Sequence, residues 1–373
     1  MRNNGRQAGF GVIGTMNRKP LKHRVTLARV ARESNVSVTT ASLILSGRPE
    51  CLAQFQQQTI DRVRHHAKEL GYRANLFASS LLAERSSFFA LVIQGGHTED
   101  LRGWQYGAYE SELLYGVTEH APPDTYPVVA TSGPKISEAR VHSIERIMAG
   151  GVFGTIVRTP EPLLEKSLRE RIKRGYPTVV VFPDQLDDWP ENAIDVDNFA
   201  VGQVAGKLLA ARGCKRWLVL RDAEYHAGQR LRQEGNRDVA QRQGASWDVL
   251  ELPVGSESPE LDRMVATRMR EDRPDGMFAM TLRAAAATVA ACRELGIVMG
   301  SDLALVGCDV AYRFQAPDPS ITSVDVSWFE AGGEAMRRLV KMTESGESRF
   351  KTVLLPPRII EGQTCPVPPG GIE

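Results

Sequence analysis

Near its start the chain repeats apolar positions three and four residues apart, in three short stretches divided by polar turns. Leu27, Val30 and Ala31 give the first stretch one apolar face, which predicts a short helix. Thr26 stands ahead of it with a hydroxyl able to cap the helix. Asn35 tolerates a positive φ, so the chain can reverse there, and Val36 plugs the turn. Ser37 is a second cap, opening a helix in which Ala41, Ile44 and Leu45 repeat the spacing. A stripe of Phe55, Ile60, Val63, Ala67 and Leu70 predicts a third helix over 54–70, ended by Gly71. Helix, tight turn and capped helix make the helix-turn-helix plan, and the third helix closes a small domain over the first two.

From Phe88 onward the pattern changes to apolar runs alternating with amphipathic stretches. FFALVIQG, PVVATSG, VFGTIVRT and TVVVFPD read as buried strands, with helical patterns at 110–120, 137–149 and 162–174 between them. A second set begins with a helix over 199–212. Its strands are RWLVLRD, DVLELP, GMFAMT and LALVGCD, interleaved with helices near 228–243, 259–271 and 283–295. Such alternation predicts parallel, doubly wound α/β sheets. Two sets predict two lobes with a cleft between them, because ligands bind beyond the C-terminal ends of such strands. YRANLFASSLLAER, residues 72–85, is a helix-forming linker too short to fold alone.

Composition adds a charge asymmetry. The net charge of +1 over 373 residues hides 14 Lys/Arg against 5 Asp/Glu in residues 1–86 and 32 against 40 in the rest. A basic head on an acidic body points the head, and not the body, towards a polyanion. Five cysteines are widely spaced without a CxxC or Cys/His cluster, so neither a disulfide framework nor a metal site is expected, and a reducing cytoplasm fits. No run approaches the length of a membrane span, and no signal-peptide core opens the chain, so no membrane partner is expected. Gly9 to Gly14 spell a formal GxGxxG, but neither a strand before it nor a helix after it has room, which removes the dinucleotide reading. Met16 is a second candidate start of translation. GxSxG, HExxH and Walker patterns are missing and the seven histidines are scattered, so no enzyme and no cofactor is expected.

The outward face of the second helix holds Val38, Thr39, Ser42, Leu43 and Ser46, small and uncharged residues that could approach base edges and phosphates closely. Val25-Thr26-Leu27, Val30-Ala31, Ser34-Asn35-Val36-Ser37 and Thr40-Ala41-Ser42 follow one another there. Glu69-Leu70-Gly71-Tyr72, Asn75, Ala78 and Ser80-Leu81 come next. Val196-Asp197-Asn198, the Arg-x-x-Gly of Arg232 to Gly235, LALVGCD at 303–309 and LLPPRII at 354–360 complete the series. In this order the sequence resembles the LacI/GalR (lactose-repressor/galactose-repressor) family of bacterial transcription regulators, over residues 25 to about 362.

The resemblance implies a cytoplasmic, nucleoid-associated regulator, a repressor by the family's commoner habit, acting as a homodimer or tetramer. Its partner would be a roughly palindromic double-stranded operator, with a helix-turn-helix in each major-groove half-site. It also implies a periplasmic-binding-protein-like body that modulates operator binding through a small effector such as a sugar or sugar derivative. The organisation it implies is a disordered extension at 1–22, a DNA-binding domain at 23–72, a hinge helix and linker at 73–86, a body at 87–364 and a disordered tail at 365–373. The first lobe would comprise about 87–192 and 325–345, the second about 193–324 and 346–364.

Carried over residue by residue, Val38, Thr39 and Leu43 face bases, while Thr26, Ser37, Thr40 and Ser42 are candidates for phosphates. Asn75 to Ala83 would form the hinge helix, with Leu81 as an apolar wedge in the minor groove. Leu43 stands where relatives often carry arginine and offers only apolar contact. Ala74 replaces the usual proline, and the stretch RPECLAQFQ carries extra residues before the third helix. On the effector side Arg232 and Asp309 match the family, but Thr281 with Leu282 replaces an Asn-Asp pair and Val326 replaces a Gln. Three alternatives follow: a less hydroxylated ligand, a site rebuilt from Trp104, Tyr106, Tyr225 and His226, or a body that answers to no small molecule. A solute-binding protein or sugar-processing enzyme on the same body is the competing class. Arg232 and Asp309 read equally as a structural ion pair or cap.

Overall fold

The computed structural model describes residues 25–47, 49–73, 86–94, 102–132, 136–160, 162–183, 188–223, 227–253, 258–308, 320–367 and 369–370, with the backbone alone at 50, 94, 102–108 and 258. The chain divides into two compact units with the border between Glu84 and Arg85.

In the first unit the predicted caps and stripes form the elements expected of them. Helices α1 (Leu27–Glu33) and α2 (Val38–Leu45) are capped by Thr26 and Ser37, whose side chains accept from the Arg29 and Thr40 amides. Asn35 turns the chain at φ 52°. The extra residues after Gly47 include a single helical turn, α3 (Pro49–Leu52), and α4 (Gln57–Glu69) follows, starting later than the apolar stripe suggests. Val30, Ala31, Ala41, Ile44, Ile60, Val63 and Ala67 form the buried core of this unit. The Arg62 side chain in α4 donates to the Ser34 carbonyl at 3.0 Å, tying the third stripe to the turn.

The second unit contains two sheets. The first comprises β1 (Phe88–Gln94), β2 (Tyr126–Ser132), β3 (Thr155–Arg158), β4 (Thr178–Val181), β5 (Ala193–Val196) and β11 (Val353–Leu355). These run parallel in the order β11-β5-β4-β3-β1-β2. The second comprises β6 (Arg216–Asp222), β7 (Ser246–Leu252), β8 (Gly276–Ala279), β9 (Ala304–Cys308), β10 (Thr322–Asp325) and β12 (Arg358–Ile360). Its order is β12-β10-β9-β8-β6-β7, and β12 alone is antiparallel to its neighbour. Helices α5 (Arg102–Glu119), α6 (Glu138–Ala149) and α7 (Pro162–Lys173) belong to the first lobe. Helices α8 (Asn198–Ala211), α9 (Ala227–Arg242), α10 (Ser258–Asp272) and α11 (Leu282–Leu295) belong to the second. Helix α12 (Trp328–Ser345) returns to the first lobe and packs on α5, β3, β4 and β5.

Glycine lets two helix pairs touch backbone to backbone. A Cβ on Gly202 of α8 would lie 1.9 Å from the Arg232 carbonyl oxygen of α9, and one on Gly235 would lie 2.1 Å from that of Phe199. The α5–α12 seam has the same character: a Cβ on Gly116 would lie 2.0 Å from the Phe329 carbonyl oxygen.

Four readings need correction. The lobe border expected at 192/193 falls after Val196, because β5 pairs with β4 and β11 inside the first sheet. Likewise β11, within the 346–364 segment expected in the second lobe, belongs to the first sheet; Pro356 and Pro357 then separate it from β12 in the second. The tail expected to be disordered from 365 is packed at its start. Cys365 is fully buried, with its amide donating to the Thr322 hydroxyl at 3.1 Å and its carbonyl accepting from that hydroxyl at 2.8 Å. PVVATSG, read as a buried strand, is an edge strand with Val129 exposed. The extension 1–22, most of the hinge at 73–86 and residues 371–373 lie outside the described residues.

Candidate functional site

Helix α2 presents two contrasting faces. Ala41 and Ile44 are fully buried against α1 and α4, whereas Val38 is 48 % exposed and Thr39 and Ser42 are exposed. Leu43, half-buried, lies outside the core cluster. The capping hydroxyls are engaged without losing their capacity to donate. Thr26 accepts from the Arg29 amide at 3.3 Å, which leaves its own O–H available. Ser37 accepts from the Thr40 amide at 3.0 Å, and the two hydroxyls bond at 2.8 Å, so one proton of the pair remains. Ser46, at the far end, donates to the Leu43 carbonyl at 2.7 Å. No residue from Val38 to Leu45 carries a charge.

In the body, parallel order with neighbours reversed about β1 and β6 places a topological switch in each sheet, where open α/β sheets bind ligands. Segments 95–101, 133–135, 184–187, 224–226, 254–257 and 309–319, which follow strand ends, lie outside the described residues. What is described near the crossing between lobes is a buried polar cluster. The Arg232 guanidinium donates through Nε to Asn198 Oδ1 at 2.8 Å and through a terminal nitrogen to Cys308 Sγ at 3.2 Å. Asn198 in turn donates to Asp195 Oδ1 at 3.4 Å, and the Val196 amide donates to the same oxygen at 2.7 Å. Burial pushes the Asp195 carboxyl up to about 7, against the opposing pull of the Val196 amide, Arg232 and Asn198.

A second cluster lies at the strand ends of the first lobe. Trp328, opening α12, stacks on Tyr109 at 4.8 Å between centroids, meets Phe182 at 4.4 Å and lies under the Arg158 guanidinium at 5.0 Å. Arg158 pairs with Glu110 at 3.2 Å, both side chains nearly enclosed. Neither cluster is served by the hollow of about 710 Å³ along α10, where Leu250, Arg263, Met264 and Arg268 lie beside edge strand β7.

Among known proteins, a family model described as a periplasmic binding protein-like domain matches residues 207–365. Catabolite control protein A of Staphylococcus epidermidis is 24 % identical over 341 residues, covering 90 % of this chain and 97 % of that protein. The chain is similar to regulators of this kind along nine-tenths of its length. Solved structures show the same fold. The lac repressor dimer bound to operator and the anti-inducer ONPF matches at a TM-score of 0.75 and 19 % identity, over 92 % of this chain and 100 % of that one. The transcriptional regulator CelR in complex with cellobiose matches at 0.59 and 22 %, over 91 % and 100 %.

Thr26, Ser37, Val38, Thr39, Thr40, Ser42 and Leu43 fall on one small unit, at the outward face of α2 and the caps beside it. Asn75, Leu81, Asp309, Tyr225 and His226 lie outside the described residues, as do the side chains of Trp104 and Tyr106. Arg232 joins the buried cluster at 8 % exposure, Thr281 caps α11 by accepting from the Ala284 amide at 3.2 Å, and Val326 is 1 % exposed in the core. Sequence reasoning missed Asp195 and the Trp328 cluster. The available signals were a lone acid in the apolar strand AIDV and an arginine ending the strand TIVR.

Proposed function

We propose that this chain is a LacI/GalR-type, sequence-specific DNA-binding transcription regulator, a repressor, acting in the cytoplasm as a homodimer on a roughly palindromic operator. Small-molecule binding in the cleft of the two-lobed body modulates its operator affinity. The carrying observation is the capped, uncharged outer face of α2 on a basic unit, in one chain with a two-sheet body. Support comes from the lac repressor's operator complex and from the cellobiose complex of CelR, both solved on this fold. Val38, Thr39 and Leu43 take base edges, and the remaining protons of Thr26, Ser37, Thr40 and Ser42 take phosphate oxygens. Asn75 and Leu81 serve the hinge.

For the effector, the structure favours a ligand with fewer hydroxyls than cellobiose. Arg232 has donors committed to Asn198 and Cys308, Thr281 accepts a helix cap, and Val326 has no polar side-chain atom. Asp309 remains the carboxylate assigned to the ligand.

Genome-wide mapping of bound sites, followed by mobility shift of the strongest site with candidate metabolites, tests the reading. Thr39→Asp adds a negative charge to an exposed position in the first turn of α2, where the helix dipole tolerates it, so the unit stays folded while phosphates repel it. Loss of the site in this variant, together with a steep salt dependence in the parent, supports the reading. A parent that selects no genomic site overturns it.

A further inference from the structure

The reading face of α2 has an unusual chemistry once its hydrogen bonds are followed. Placed at about 100° per residue, Val38 and Leu43 stand at the two rims of the outward arc, with Ser42, Ser46 and Thr39 between them. The Ser46 hydroxyl is turned back onto the Leu43 carbonyl. The Ser37 and Thr40 hydroxyls are occupied with each other and with the helix cap. Thr39 and Ser42 are left as the short hydroxyls of the arc. Nothing from Val38 to Leu45 can form the paired hydrogen bonds by which arginine or lysine recognises guanine, or asparagine and glutamine recognise adenine.

The two apolar rims, in contrast, are available. Val38 is 48 % exposed although the unit has a core of its own, and Leu43 has no place in that core. In the major groove the apolar feature that distinguishes one base pair from another is the C5 methyl group of thymine. Resting on the DNA-binding function proposed above, we infer that this chain reads its half-site chiefly through thymine methyl groups packed against Val38 and Leu43. Thr39 adds a single hydrogen bond that tolerates more than one base. The preferred half-site therefore carries thymine, on one strand or the other, at the steps facing the two rims, and α2 requires no guanine.

Deoxyuridine provides the test, since it differs from thymidine only by that methyl and pairs identically. The full chain is first used to select duplexes from a random pool, and each thymine of the selected site is then replaced in turn by deoxyuridine. Burying one methyl is worth roughly fourfold in binding. One or two replacements per half-site should weaken the complex by about that factor. Leu43→Ala should abolish the penalty at one position and Val38→Ala at another, leaving the remaining positions unchanged. Neutral replacements throughout, or penalties that persist unaltered in both variants, overturn the inference while leaving DNA binding intact. Failure of the pool to yield any selected duplex overturns the DNA-binding function itself, and the inference with it.

Discussion

Replacing Asp195 with asparagine should change how the stability of the body depends on pH. The carboxyl is buried in β5 and its ordinary value of 3.8 is pushed up to about 7. Below 3.8 both folded and unfolded chains hold the proton. Between 3.8 and 7 the folded chain holds it and the unfolded chain does not, so stability falls as pH rises through that window. Above 7 both forms are ionised and the full cost of burying the charge is in place. From these values the loss between pH 5 and pH 8 is about 2–3 kcal/mol. In Asp195→Asn the amide oxygen still accepts from the Val196 amide and from Asn198, while the titration disappears. Urea unfolding of the full chain followed by tryptophan fluorescence from Trp217, Trp247 and Trp328 at both pH values measures the difference. The parent should lose about 2–3 kcal/mol more than the variant on going from pH 5 to pH 8. Parallel losses would refute the reasoning.

Gly202→Ala, whose Cβ would meet a backbone carbonyl at 1.9 Å, should destabilise the body by about 3 kcal/mol or more. Gly206→Ala, facing the Val239 side chain at 2.8 Å, should cost visibly less in the same urea titration. Ser37→Ala removes the cap of α2 and should lower the stability of the first unit by about 1 kcal/mol. Hydrogen exchange of the amides in α2 should quicken roughly fivefold, the body's exchange staying as it was. Ile44→Ala, at the centre of a small core, should cost about 2–5 kcal/mol, enough to abolish operator binding in a mobility shift while leaving body tryptophan fluorescence unchanged.

How far the sequence revealed the molecule depended on how local each signal was. Caps and turn residues act within three or four positions, and Thr26, Asn35 and Ser37 do in the structure what their side chains suggest. AIDV and TSVD are short strands whose apolar run is broken by an acid, so nothing local separates them from loop. Misplacing β5 moved the lobe border, since a parallel strand is assigned to its sheet by partners far away in sequence. Cys365 was lost for the same reason, because its anchor is Thr322 and a Pro/Gly-rich tail reads as coil. At the candidate sites the exposed face of α2 was legible from helical geometry alone. The commitment of Arg232 to Asn198 and Cys308 was not, because those partners come from separate elements.

The pair Pro356–Pro357 fixes how the two lobes can turn. Each strap between lobes must bend if the angle between them is to change, and consecutive prolines lock φ and favour an extended, stiff conformation. With one sheet held at Leu355 and the other at Arg358, this strap is a strut anchored at both ends. Rotation would therefore swing about the strut as a gatepost, with the dihedral change absorbed by the straps at 196–198 and 325–328. The Arg232 cluster lies at the first of these straps and Trp328 at the second.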